Sequence, residues 1–228
     1  MRTIIFTRMV APTPEPLLAK PRLRGVVHQW AFMVACALGI ALVITAPEGE
    51  ATLAAGVYAV SVAGLLGVSA LYHRITWTRA GVRAWMRRAD HAMIFVLIAG
   101  SYTPFALLVL DGPLAGAILI AMWAGAAGGM FFKLVWIDAP KWLSSVLYVV
   151  LGSASLVTVP ELAGELGPVA LALVGLGGVL YVVGAVVYAA RRPDPSPTVF
   201  GYHEVFHVLV VAAAALQYAV VAFWVLPG

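Results

Sequence analysis

Gly201-Tyr202-His203-Glu204-Val205-Phe206-His207 opens the last long apolar run of the chain, 208–226, and its reading decides both fold and chemistry. The run carries no charge, which suits a helix crossing the hydrocarbon core of a bilayer, where about 20 apolar residues are needed. On that helix His203 and His207 lie four apart, on one face and one turn from each other. Two imidazoles need this spacing to grip one metal ion. A buried hydrogen-bonded His pair would show the same spacing, so the pair alone leaves both readings open.

Working outward, the chain is 63% hydrophobic and 11% charged, whereas soluble domains average about 45–50% apolar and 25% charged. Its solvent is therefore lipid. Apolar runs recur at 28–46, 52–72, 90–110, 114–132, 142–159, 167–190 and 203–226. Between them stand breaks of Pro, Gly and charge, among them Pro47-Glu48-Gly49-Glu50, Asp111-Gly112-Pro113, Asp138-Ala139-Pro140-Lys141 and Pro160-Glu161. The pattern predicts an all-α integral membrane protein of seven transmembrane helices. Residues 1–27 hold Pro12, Pro14, Pro16 and Pro21 with Lys20, Arg22 and Arg24, and have no signal-peptide pattern. They are expected to be a cytoplasmic tail ahead of a single domain over 28–228.

The Lys and Arg residues fall in that tail or after the second, fourth and sixth runs, while the other connections carry Glu48, Glu50, Asp111, Glu161 and Glu165. By the positive-inside rule the N-terminus is cytoplasmic and the C-terminus outside, in a multi-pass protein expected in the plasma membrane. The net charge of +4 is then a topology signal with an affinity for anionic lipid headgroups, and calls for no nucleic acid. Residues 76–89 are too polar to span. They are expected to form a short interfacial helix with Arg79, Arg83 and Arg87 on one side and Trp77 and Trp85 roughly opposite.

Topology sets the depth of the polar residues. The start of the last helix, the end of the second and the start of the third share the cytoplasmic leaflet, and they carry His203, His207, Ser69, His73 and Asp90. Ser69 and His73 are again four apart. Ionisable groups at membrane depth are costly and face the bundle interior, so this set reads as a site near the cytoplasmic face. Three neutral imidazoles with one open position is a known catalytic zinc arrangement. The positive end of the helix dipole at His203 and His207 favours neutral rings, as ligation requires.

The set Ser69-x-x-x-His73, then Asp90-His91-x-x-Ile94 with Gly100-Ser101-Tyr102-Thr103-Pro104, then His203-x-x-x-His207 resembles the haemolysin III branch of the progestin and adiponectin receptor family. Lys20-Pro21-Arg22-Leu23-Arg24-Gly25 before His28 is similar to members of that branch as well. The resemblance covers nearly the whole chain. It implies a seven-helix fold with Zn2+ near the cytoplasmic face, held by His73, His203 and His207. It also implies that Asp90 contacts the water on the metal and that Ser69 stands close by.

Such a zinc site suits hydrolysis of a lipid amide or ester, with Asp90 and Ser69 as the catalytic groups and a membrane lipid as substrate. Some relatives are credited with ceramidase-like activity. The other class the resemblance allows is non-enzymatic: permeabilisation, lipid homeostasis or receptor-like regulation around a structural zinc. His91 is expected to support the site from behind or to make an interhelical hydrogen bond, His28 to sit at the membrane interface, and Glu204, a spare candidate acid or base, to serve a loop or an interface. His203-Glu204-Val205-Phe206-His207 also matches the zincin motif, and Leu110-Asp111-Gly112 the third-ligand motif of intramembrane proteases. Here, however, the Leu-Asp-Gly precedes the His pair and lies at the opposite face, about 30 Å away. Asp111 is read as a turn residue.

Overall fold

The structure is a computed structural model that describes residues 20–227; residues 1–19 of the expected tail lie outside the described residues. Among the described residues the regular elements are helical: α1 Val26–Thr45, α2 Glu50–Arg74, α3 Ala80–Leu108, α4 Gly112–Val135, α5 Lys141–Gly152, α6 Val159–Ala190 and α7 Tyr202–Val220. A 3-10 segment, Ser153–Thr158, joins α5 to α6, and a π-helical turn, Val221–Val225, ends α7. Among the described residues, six stretches are long and apolar enough to cross a membrane, the longest being the 50-residue Lys141–Ala190.

Two boundaries differ from the sequence expectation. The break expected at Pro160-Glu161 falls just before it, at the 3-10 segment Ser153–Thr158, and a second one follows at Gly167. Pro160 sits in the first turn of α6, where its missing N–H is one that no helix uses. Gly167 has a φ of +74°, which is left-handed, and is followed by Pro168. The separate interfacial helix expected over 76–89 is also absent as an element of its own. α3 begins at Ala80 and runs without interruption to Leu108, because Arg83, Ala84, Met86, Arg87, Arg88 and Ala89 are helix formers and no Pro or Gly follows Gly81 before Gly100. Asp90 therefore lies in the third turn of α3 rather than at a helix N-terminus.

Helices adjacent in sequence pack against each other, and α1 also meets α7. The larger core cluster includes Leu42 near the end of α1, Leu110 after α3, Ile118 in α4, Leu162 in α6 and Val221 after α7. These positions share the end of the bundle opposite the start of α7. In lipid such packing is held by close van der Waals contact rather than by expulsion of water. A smaller cluster of Leu65, Leu66, Leu97 and Val210 lies between that core and the polar end.

Candidate metal centre

His73 falls in the last turn of α2, with Ser69 one turn before it. His203 and His207 occupy the first two turns of α7, which begins after Gly201. The start of α7 is fixed by Glu204, whose carboxylate accepts the Gly201 N–H at 2.8 Å, as in half of a capping box. All three histidines are buried. One nitrogen from each can be chosen so that the three lie within 4.8 Å of one another.

The Nε2 atoms of His73 and His203 are 3.1 Å apart. Two imidazoles on one tetrahedral zinc, at about 2.0–2.1 Å each, hold their nitrogens roughly 3.3 Å apart, so the spacing fits a shared ion. The third ring closes the set: the His207 centroid lies 4.6 Å from that of His203 and 5.2 Å from that of His73. The donor set fits zinc.

Asp90 Oδ2 lies 3.7 Å from His73 Nε2, farther than the two imidazole nitrogens are from each other. Ser69 lines the same end of the bundle's cavity as Asp90. His91, beside it on α3, places Nδ1 2.9 Å from the Arg87 carbonyl and 3.5 Å from Asp90 Oδ2. With the proton on Nδ1, Nε2 accepts from the Tyr188 hydroxyl of α6 at 3.3 Å. The interhelical role expected of His91 is thus found. The five residues singled out from sequence as ligands or catalytic groups come together, whereas Asp111 precedes α4 at the far end of α3, roughly 30 Å along the helix from Asp90.

Two further residues have partners that local sequence patterns do not supply. His28 is 2% exposed, and its ring lies flat on that of His207, with centroids 3.7 Å apart and planes 9° from parallel. Glu204 turns away from the metal site and forms a buried ion pair with Arg24. That pair, with Arg22 N–H to the Thr198 carbonyl and Leu23 N–H to the Val199 carbonyl, both 3.0 Å, straps residues 20–25 to the segment before α7 and to its first turn. Gly25 is the tightest point of the strap. It has a φ of +79°, and a Cβ there would fall 2.6 Å from the His73 Cβ, so only glycine fits. Neither contact has a local periodicity by which sequence reasoning could find it.

A cavity of about 690 Å³ opens from the cluster. Ser69, Asp90, His203 and His207 line one end, and Gln217 and Leu110 lie in its farther reaches. His207 to Gln217 is ten residues, about 15 Å of helix. Leu156, Val179 and Val182 also line it and are exposed on the outside of the bundle, so the cavity opens sideways between α5 with its 3-10 extension and α6. Pro104, which cannot donate to the carbonyl four residues back, lies between Ser101-Tyr102 and Phe105 of this lining. Gln217 Nε2 donates to the Ser101 carbonyl at 3.3 Å.

Residues 17–218 match the family model described as haemolysin-III related. The chain is 33% identical over 178 residues to Hemolysin-3 of Bacillus cereus, covering 78% of each chain. It is 32% identical over 168 residues to the Hemolysin-3 homolog of Bacillus subtilis (strain 168), covering 74% of this chain and 75% of that one. To the Monocyte to macrophage differentiation factor of Homo sapiens it is 27% identical over 169 residues, 73% of this chain and 68% of the other.

Proposed function

The chain belongs to the haemolysin-III-related family, the haemolysin III branch of the progestin and adiponectin receptor family, and from that premise we propose that it is a zinc-dependent integral-membrane hydrolase of a lipid amide or ester. The observation that carries this reading is the joining of a buried three-histidine cluster to an apolar cavity open at the side of the bundle. A lipid chain enters such a cavity from the bilayer without crossing water.

Zinc on His73, His203 and His207 would supply a Lewis acid that polarises the carbonyl and eases deprotonation of water. Asp90 takes the proton of the attacking water at Oδ2, the oxygen that faces His73. Ser69, on α2 at the same end of the cavity as Asp90, would steady the oxygen that becomes negative. His91, whose Nε2 meets the Tyr188 hydroxyl, stands 3.5 Å from the same Asp90 Oδ2. The apolar walls keep bulk water from the reaction.

The membrane arrangement follows from length. Lys141–Ala190 has 50 residues, about 75 Å as a straight helix, more than twice the roughly 30 Å hydrocarbon core. With its breaks at Ser153–Thr158 and Gly167 it crosses twice. That makes seven crossings, with the N-terminus and the metal site at the cytoplasmic side of the plasma membrane and exposed Arg74, Arg79 and Arg83 facing anionic headgroups.

The test is release of fatty acid from lipid amides and esters by zinc-loaded protein in nanodiscs. Wild type should turn over at least one of them, and Asp90→Asn should lower kcat by a factor of 10²–10⁴ with zinc still bound. Bound zinc with no turnover in wild type would transfer the reading to the non-enzymatic class, in which the metal staples α2 to α7.

A further inference from the structure

His203-Glu204-Val205-Phe206-His207 has the zincin pattern, in which the glutamate between the histidines is the general base. Here that glutamate is engaged elsewhere. Its side chain is 1% exposed. Oε1 accepts from Arg24 Nε, and Oε2 accepts from the Gly201 N–H at 2.8 Å.

The three histidines stand on two helices that have little direct packing on each other. α1 packs against both α2 and α7, and deeper in the bundle the Tyr58 hydroxyl of α2 donates to the Ala214 carbonyl of α7 at 3.3 Å. At the polar end the connection is made by residues 22–25. Arg22 and Leu23 donate to the carbonyls of Thr198 and Val199 ahead of α7, and Arg24 reaches Glu204 in its first turn. Gly25 lies against α2, where a Cβ would fall 2.6 Å from His73 Cβ and 3.5 Å from Arg74 Cγ and Cδ. Arg74 Nε in turn donates to Gln29 Oε1 of α1 at 3.0 Å. The segment thus touches the helix that carries His73 on one side and the helix that carries His203 and His207 on the other. An ion held at about 2.0–2.1 Å from each nitrogen tolerates little error in the spacing of those helices.

We propose that Arg24 and Glu204 are positioning residues of the metal centre: their pair seats residues 22–25 between the end of α2 and the start of α7, and so holds the two halves of the cluster at binding distance before an ion arrives. This rests on the metal centre of the proposed function and not on hydrolysis. Charge alone predicts the opposite effect. Arg24 is a cation beside the cluster and repels a second cation, so with a purely Coulombic role its removal tightens metal binding. With a positioning role its removal loosens binding, because the buried Glu204 carboxylate loses its countercharge and the seat of the segment with it.

The experiment titrates metal-free protein in detergent with Co2+, which replaces zinc and whose visible absorption reports tetrahedral coordination. Affinity is read by chelator competition, and the melting temperature without metal is read alongside. Arg24→Gln should bind Co2+ about ten- to hundredfold more weakly, with a weaker visible band. Arg24→Lys should stay within about threefold of wild type with the wild-type band, because the pair uses one N–H and an ammonium supplies it. Glu204→Gln keeps an acceptor for both donors and loses only the charge; it should bind about three- to tenfold more weakly, and it carries the test if Arg24→Gln does not fold. Arg24→Gln binding as tightly as wild type or more tightly, or wild-type affinity in Glu204→Gln, overturns the inference and leaves the metal centre standing. A melting temperature that falls while affinity and spectrum do not would make the pair a brace of the fold alone, and overturns it as well. Wild type that binds no Co2+ overturns both the inference and the metal centre.

Discussion

At the end of the bundle where α7 begins, the interior is made of His28, His73, His203, His207, Ser69, Asp90 and the Arg24–Glu204 pair. At the opposite end it is made of Leu42, Leu110, Ile118, Leu162 and Val221. The polar end is held by directed contacts between groups that lipid would not tolerate alone, the apolar end by close fit. The difference teaches that damage should separate: losses at the far end should cost stability and spare the metal, and losses at the near end should do the reverse.

The largest effect should come from the far end. Ile118 is 6% exposed, and Ile118→Ala should cost roughly 2–5 kcal/mol through the lost contacts and the cavity left behind. Thermal unfolding in detergent would show the drop, and zinc content should stay at the wild-type value. Loss of zinc in this variant would break the division between the two ends.

A smaller effect is expected at the strap. Gly25→Ala places a methyl 2.6 Å from the His73 Cβ at a left-handed φ, so either the strap lifts or His73 shifts. Chelator competition should then give about tenfold weaker zinc binding, with only about 1–2 kcal/mol lost from stability. Unchanged zinc affinity would show that the strap does not bear on the site.

The smallest effect sharpens the contrast between buried and exposed charge. Arg87 pairs with Asp138 in the loop after α4, and the Asp138 side chain is 78% exposed. The Arg87 hydrogen bond and charge hold the Asp138 carboxyl below its usual range. The pair's contribution is therefore present above the ordinary carboxylate pKa and disappears as pH falls through the lowered one. Solvent and salt screen so exposed a pair, and Asp138→Asn should leave the melting temperature at pH 7 unchanged. A clear drop would mean that this loop matters as much as the buried Arg24–Glu204 pair.

What sequence reading could reach was set by range. The His, Asp and Ser positions were legible because i, i+4 spacing and leaflet depth are properties of single helices and of their order. The apolar runs were legible because the bilayer fixes their length. The His28 stack, the Arg24–Glu204 pair and the Lys133–Ser144 contact buried between α4 and α5 were not. Each joins residues whose local patterns say nothing of the partner; Lys133 read simply as one more charge after a helix. Arg-rich 80–89 reads from its polarity as an element of its own, and the continuous α3 shows helix propensity joining it to the span that follows.

The central claim is that one metal ion joins α2 to α7 through His73, His203 and His207. The most direct test is metal content by mass spectrometry on detergent-purified wild type and His207→Ala, prepared identically. The account predicts about one zinc per wild-type chain and loss of it in the variant with the helical content retained. Zinc bound equally by both proteins, or by neither, would contradict it.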